Sequence, residues 1–197
     1  MDTQEFIKRW TTIGEQHIRA DKSDIQKFNF GTAAYDFLFL TGMPSEFQDL
    51  NFDYLKEGKL KTVNQKWTLE NSNFDKYLSI GFNGSGDPIA IDLDTQRLVY
   101  LNHDNSFEEV LINSDLKKFA MSVLRIKDFV DKLKKLNTNS FFENEFSDEQ
   151  LDQLIQHLKR IDPDVFENKE SHWKYIIDNY IWERDNERST STNSMSK

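Results

Sequence analysis

Residues 77–104 read YLSIGFNGSGDPIAIDLDTQRLVYLNHD, and their apolar period is two. Leu78, Ile80 and Phe82 alternate with small or polar residues, as a half-buried strand requires. Asn83-Gly84-Ser85-Gly86-Asp87 follows, a loop whose residue types suit positive φ angles. Ile89 and Ile91 alternate again. Asp94-Thr95-Gln96 turns the chain, and Leu98-Val99-Tyr100-Leu101 returns. Short turns between such runs make an antiparallel meander the simplest arrangement.

Upstream, Leu50, Phe52 and Tyr54 alternate, Lys56-Glu57-Gly58-Lys59 suits a hairpin turn, and Leu60 to Trp67 reads as a strand. The central, mostly antiparallel sheet should therefore hold about five strands. Helical patterns lie on both sides of it. Thr3 can cap a helix with Phe6, Trp10 and Ile13 on one face, weakened or ended by Gly14. Residues 19–31 read as a polar connection or a short helical turn. Thr32 can cap a second helix, from Ala33 to about Leu40, closed by Gly42 and Pro44. Ser114 can cap a long helix carrying Leu116, Phe119, Val123, Ile126, Val130 and Leu133. Ser147-Asp148-Glu149-Gln150 is a capping box leading into Leu151, Leu154, Ile155 and Leu158. Pro163 separates that helix from a last one, with Ser171 as cap and Trp173, Ile176, Ile177, Tyr180 and Ile181 as its inner stripe. Helices, then a sheet, then helices make an α+β fold. Residues 1–184 are expected to form one domain, with 141–184 either completing its core or forming a C-terminal helical extension. Residues 185–197 bring almost nothing to bury and are expected to be a disordered tail.

Composition narrows the function. Hydrophobic residues are 37% of the 197, but 16 Phe, 6 Tyr and 4 Trp supply large buried areas, so a core is attainable. There is no cysteine, hence no disulfide, thiolate metal site or cysteine nucleophile. The first twenty residues contain no apolar signal core, and the most apolar run, near Tyr35 to Leu40, is too short to span a bilayer. A cytoplasmic protein without membrane association is expected. The net charge is −9, and residues 141–197 hold 13 acids against 7 bases. Such a surface repels phosphate backbones, so direct nucleic-acid binding is not expected. The charge either keeps the chain in solution or attracts a basic protein partner.

Candidate chemistry is thin. Gly84-Ser85-Gly86-Asp87 lacks the Lys-Ser/Thr and the following helix of a phosphate loop, and Pro88 opens a strand instead. His103-Asp104 has the look of a metal-phosphohydrolase pair, yet His17, His157 and His172 show no ligand spacing. A histidine at a strand end bonding to a loop is the simpler expectation. No Gly-x-Ser-x-Gly elbow is present. The sequence therefore suggests no enzyme, no metal and no cofactor. Its most informative surface is in the last helix, where Tyr175, Asp178, Asn179 and Trp182 share a face away from the inner stripe. Either these rings belong to a protein interface, together with the acids Asp148, Glu149 and Asp152, or the face packs on the preceding helix.

Several motifs resemble one family. Gly86-Asp87-Pro88-Ile89, between two strands, is similar to the central "GDPI" signature of the SUKH superfamily of immunity proteins. Val99-Tyr100 followed by His103-Asp104 resembles its next strand, and Asn113-Ser114-Asp115 leading to Phe119 resembles its entry into the long helix. Gly42-Met43-Pro44 resembles a "GLP" after the early helix, with Met in place of Leu. The order is that of the fourth SUKH family and covers roughly residues 35–135. The first 30 residues and the helices after Asn137 carry no such motif. The resemblance implies an α+β fold and a non-catalytic role. Family members bind and neutralise toxins, many of them nucleases or nucleic-acid deaminases. Others, including a yeast cell-wall synthesis regulator, are interaction scaffolds. The expectation is thus an immunity protein for a cognate, basic toxin, with a regulatory scaffold for an endogenous partner as the alternative.

Overall fold

The meander expected over residues 77–104 forms the middle of a larger sheet. The structure, a computed structural model, describes residues 3–136, 145–167 and 170–194. The chain divides into two compact units, Met1–Met121 and Ser122–Lys197.

The first unit begins with α1 (Thr3–Trp10), β1 (His17–Ile18), α2 (Lys22–Ile25) and α3 (Thr32–Tyr35), which widens into a π-helix over Asp36–Thr41. Next come β2 (Met43–Pro44), β3 (Glu46–Phe47), β4 (Leu50–Asn51), a 3₁₀ turn over Asp53–Glu57, β5 (Lys61–Thr62) and α4 (Val63–Trp67). The long strands follow: β6 (Tyr77–Phe82), β7 (Pro88–Asp92), β8 (Leu98–Asn102) and β9 (Glu108–Asn113). The helix α5 (Leu116–Leu136) starts in this unit. Seven strands form one antiparallel sheet in the order β3-β4-β6-β7-β8-β9, with β5 also paired to β6. β1 and β2 form a separate two-stranded pair.

The sheet exceeds the expected five strands because two strands, β3 and β9, were not expected, and two of the expected five are cut short by local hydrogen bonds. The Leu50–Tyr54 strand stops after two residues. There the Asn51 side chain accepts the Asp53 N–H at 2.8 Å and turns the chain into a 3₁₀ helix. The Leu60–Trp67 strand also pairs for only two residues. Thr62 and Gln65 then form a capping box that starts α4. Lys56–Lys59 is no hairpin turn; Gly58, at φ +67°, closes the 3₁₀ helix. The longer of the two unexpected strands, β9, opens with Glu108-Glu109 and continues as an apolar run without alternation. Two caps are also displaced. Gly31, not Thr32, precedes α3. At α5 the Asp115 carboxylate, one residue beyond Ser114, receives the Lys118 N–H at 2.8 Å.

β4 and β6 approach closely at Gly81. A β-carbon there would sit 1.9 Å from the Asn51 carbonyl oxygen, a distance no side chain tolerates. The core of this unit is aromatic. The buried Trp10 ring meets Phe37 at 5.7 Å and Phe119 at 6.2 Å, both edge-on, and Phe119 meets Phe52 at 5.6 Å. The Trp10 indole N–H donates to the Gly42 carbonyl at 2.9 Å, so its polar atom is satisfied inside the core.

The second unit holds the rest of α5, then α6 (Asp148–Ile161), α7 (Asp164–Glu167) and α8 (His172–Ser194). The Ser147–Gln150 capping box is formed as the sequence implies. Leu151, Leu154 and Leu158 line the buried face of α6, and Phe146 packs on Phe129 at 5.7 Å and Tyr180 at 6.4 Å. Ser171 precedes α8. Its carbonyl accepts the Tyr175 N–H, while its hydroxyl donates to the Val165 carbonyl. α8 continues past Asp185, where the expected tail would begin; residues 195–197 of that tail lie outside the described residues.

Candidate functional site

The β6–β7 loop is built around Asn83 and Asp87, both buried. The Asn83 Oδ1 accepts the N–H groups of Ser85 at 3.0 Å and Asp87 at 2.9 Å. Its Nδ2 donates to Asp87 Oδ2 at 2.9 Å. The other carboxylate oxygen of Asp87 accepts the backbone N–H of His103 at 2.9 Å and lies 2.6 Å from His103 Nδ1. Gly86 supplies the left-handed residue at φ +85°. The N–H groups of Ser85 and Asp87, which a phosphate would need, are thus spent on Asn83. The two sequence motifs, Gly86-Asp87-Pro88 and His103-Asp104, meet here as one internal network. Among the described residues no three His, Asp or Glu side chains converge as a metal centre requires.

A second polar cluster ties the far end of β6 to β7 and β9. The Lys76 ammonium lies 2.8 Å from the buried Asp92 carboxylate, which also accepts the N–H groups of Asp94 and Thr95. Burial pushes the Asp92 carboxyl up, but Lys76 and the two N–H groups outweigh it and hold it below the usual carboxylate range. Asp92 in turn raises Lys76. The Tyr77 hydroxyl donates to Glu109 at 2.7 Å, and burial together with that bond pushes the phenol up to about 12. Lys76, Tyr77 and Asp92 thus stay in fixed charge states near neutrality, which suits a structural brace better than proton transfer.

The second unit carries the residues expected to bind a partner. Tyr175 and Trp182 are 61% and 68% exposed, and Asp178 between them is exposed as well. Trp173 and Ile177 take the buried side of α8, so the outer face does not serve its packing. The three acids of α6 do not act alike. Glu149 and Asp152 are exposed and border a surface groove with Gln153, Gln156, His157 and Arg160. Asp148, exposed itself, lies 2.8 Å from the buried Arg184 guanidinium, which also stacks over Phe146 at 5.2 Å. Sequence reading missed Arg184, since a lone arginine late in a polar helix gives no sign of burial. Of the expected residues, then, Tyr175, Asp178 and Trp182 share a surface. Asp148 is committed to an ion pair that joins α6 to α8.

The geometry describes an α+β protein whose turns are occupied by their own side chains and whose last helix presents bare rings. The chain belongs to the SUKH-4 immunity protein family, whose model matches residues 11–179. It is also similar to the SPbeta prophage-derived uncharacterized protein YonD of Bacillus subtilis (strain 168), at 26% identity over 121 residues. That likeness covers 60% of this chain and 24% of YonD, so the chain spans about a quarter of that relative's length. No solved structure matches the chain. Among the described residues no helix is long and apolar enough to cross a membrane.

Proposed function

We propose that this protein is a non-catalytic immunity protein that binds a cognate toxin in the cytoplasm and neutralises it by covering its working surface. The observation that carries this reading is the family match over residues 11–179. Charge supports the finer statement. Enzymes that act on nucleic acid hold phosphate with basic surfaces, and a chain of net charge −9 complements such a surface. The toxin is therefore read as a basic nuclease or nucleic-acid deaminase. Acids of α6 and α8 would steer the encounter, and Tyr175 and Trp182 would anchor the complex with Asp178 between them.

The test is capture of the partner on the tagged full-length chain in its native host, followed by assay of the captured protein on DNA and RNA. A basic partner that cleaves or deaminates nucleic acid, and stops when this chain is added in equimolar amount, is the expected result. A partner with no such activity, or one whose activity persists in the complex, overturns the reading.

A further inference from the structure

The first unit carries a surface that the proposed toxin contact on α8 does not use. At one end of the sheet the Trp67 ring lies 5.8 Å from His103 and 5.5 Å from Phe107. Phe107 lies 5.4 Å from Phe74, and Phe74 lies 6.4 Å from Tyr77. Trp67, Phe74, His103 and Phe107 are all only half-buried. The backbone that holds them is unusual. Ser106 and Phe107 both have positive φ, +54° and +59°, as do Thr68 and Glu70 just after Trp67, at +53° and +54°. A bulky side chain such as Phe rarely adopts that conformation, so the surrounding structure has to hold it there.

The charge around these rings has one dominant sign. Glu70, Asp75, Asp104, Glu108 and Glu109 are all exposed beside them. Contacts tie most of these acids to the cluster: Asp104 lies 3.5 Å from His103 Nε2, Glu109 accepts from Tyr77, and Asp75 accepts from Asn64 on α4. The neighbouring lysines are engaged, Lys66 over the Tyr54 ring at 3.3 Å and Lys76 on Asp92. Glu108 and Glu109 also open β9, the last strand of the sheet, whose outer edge has no partner strand among the described residues.

Half-buried rings bordered by carboxylates match one side chain best. An arginine guanidinium stacks on aromatic faces through its flat surface and donates paired N–H bonds to carboxylates through its edge. Nucleic acid and anionic lipid would meet repulsion from the same acids. We propose that the Trp67–His103–Phe107 surface binds an arginine-bearing basic segment of a protein partner. The site shares no residue with the α8 face, and it does not depend on the partner being a toxin.

The test uses the full-length chain, ¹⁵N-labelled, and a short peptide of alternating arginine and glycine as probe. Titration should move the Trp67 indole N–H signal and the amides of Phe107 and Glu108, and leave the Trp182 indole in place. The double variant Asp104→Lys/Glu108→Lys changes only exposed side chains, so it should fold, and it should weaken binding at least about ten-fold. A peptide with lysine for arginine should bind more weakly, because an ammonium does not stack. Absence of binding, shifts centred on α6 and α8, or undiminished affinity in the double variant overturns the proposal. Toxin inhibition, measured separately, is untouched by any of these results.

Discussion

The β6–β7 loop and the outer face of α8 are the two most distinctive regions of this protein, and they use their residues in opposite ways. In the loop, Asn83 and Asp87 are buried, and their side chains satisfy backbone N–H groups and His103. On α8, Tyr175 and Trp182 are more than half exposed, and the helix packs through Trp173 and Ile177 without them. The motif that makes the family recognisable therefore belongs to folding, and the face proposed for binding is made of residues that folding does not need. A sequence motif of Gly, Asp and His is easily taken for chemistry. Its hydrogen bonds here point inward.

If that contrast is right, damage to the meander should cost stability and damage to α8 should cost affinity. The largest effect is expected at Gly81, where a β-carbon would meet the Asn51 carbonyl at 1.9 Å. Neither partner is a flexible side-chain tip, so β4 and β6 must separate. Gly81→Ala should lower the unfolding free energy by about 3 kcal/mol or more, read by chemical denaturation. A variant as stable as the parent would mean that β4 does not sit on β6 in solution. Next comes Asp87→Ala, which leaves the Asn83 amide and the His103 N–H without their acceptor. The expected loss is about 2–3 kcal/mol, with partner affinity unchanged wherever the variant is folded. A loss of binding at unchanged stability would instead place the loop in the interface.

Much of this division could be read from the residues, and the failures have identifiable causes. Alternation at Leu78, Ile80 and Phe82 and at Ile89 and Ile91 marked two central strands correctly, because period two survives where a strand is long. The short pieces around it were misread. At Asn51 and Thr62 a side chain captures the backbone after two residues, and periodicity cannot register so local an event. β9 was missed because its apolar residues, Val110, Leu111 and Ile112, are consecutive and so show no period of two. For the candidate site, helical spacing put Tyr175, Asp178 and Trp182 on one face of α8 but did not decide between an exposed face and one packed on the preceding helix. The burial of Arg184 and the meeting of Asp87 with His103 were not legible, since both depend on tertiary contacts between distant positions.

The third effect tests the other side of the contrast. Trp182→Ala removes a ring that is 68% exposed, so stability should change by less than about 0.5 kcal/mol. Its affinity for the captured partner should fall by about 2 kcal/mol, roughly thirty-fold, if the ring is an anchor. Calorimetric titration measures one and thermal unfolding the other. A fall in stability with no change in affinity would move Trp182 into the class of Asp87.

The smallest effect separates the two faces of α8 from each other. His172 opens the helix on its buried side, edge-on to Trp173 at 4.6 Å, and burial pulls its ring down to about 3 from the ordinary 6.5. The folded chain thus stays neutral at His172 over a range where the unfolded chain takes up a proton. Between those two values the unfolded state binds more protons, so stability falls as pH falls, by at most about 1.4 kcal/mol per pH unit. From pH 7 to 5.5 this one residue should account for a loss of about 1 kcal/mol. The Asp92 carboxyl, held below its usual range, contributes stability that is lost only at lower pH and lies outside that window. His172→Gln should therefore flatten the pH dependence of unfolding between 7 and 5.5 by about that amount, whatever its effect at neutral pH. Because His172 and Trp182 share a helix, equal slopes in the two proteins would show that its inner face admits protons. The claim that α8 folds with one face and binds with the other would then fail on the side that folds.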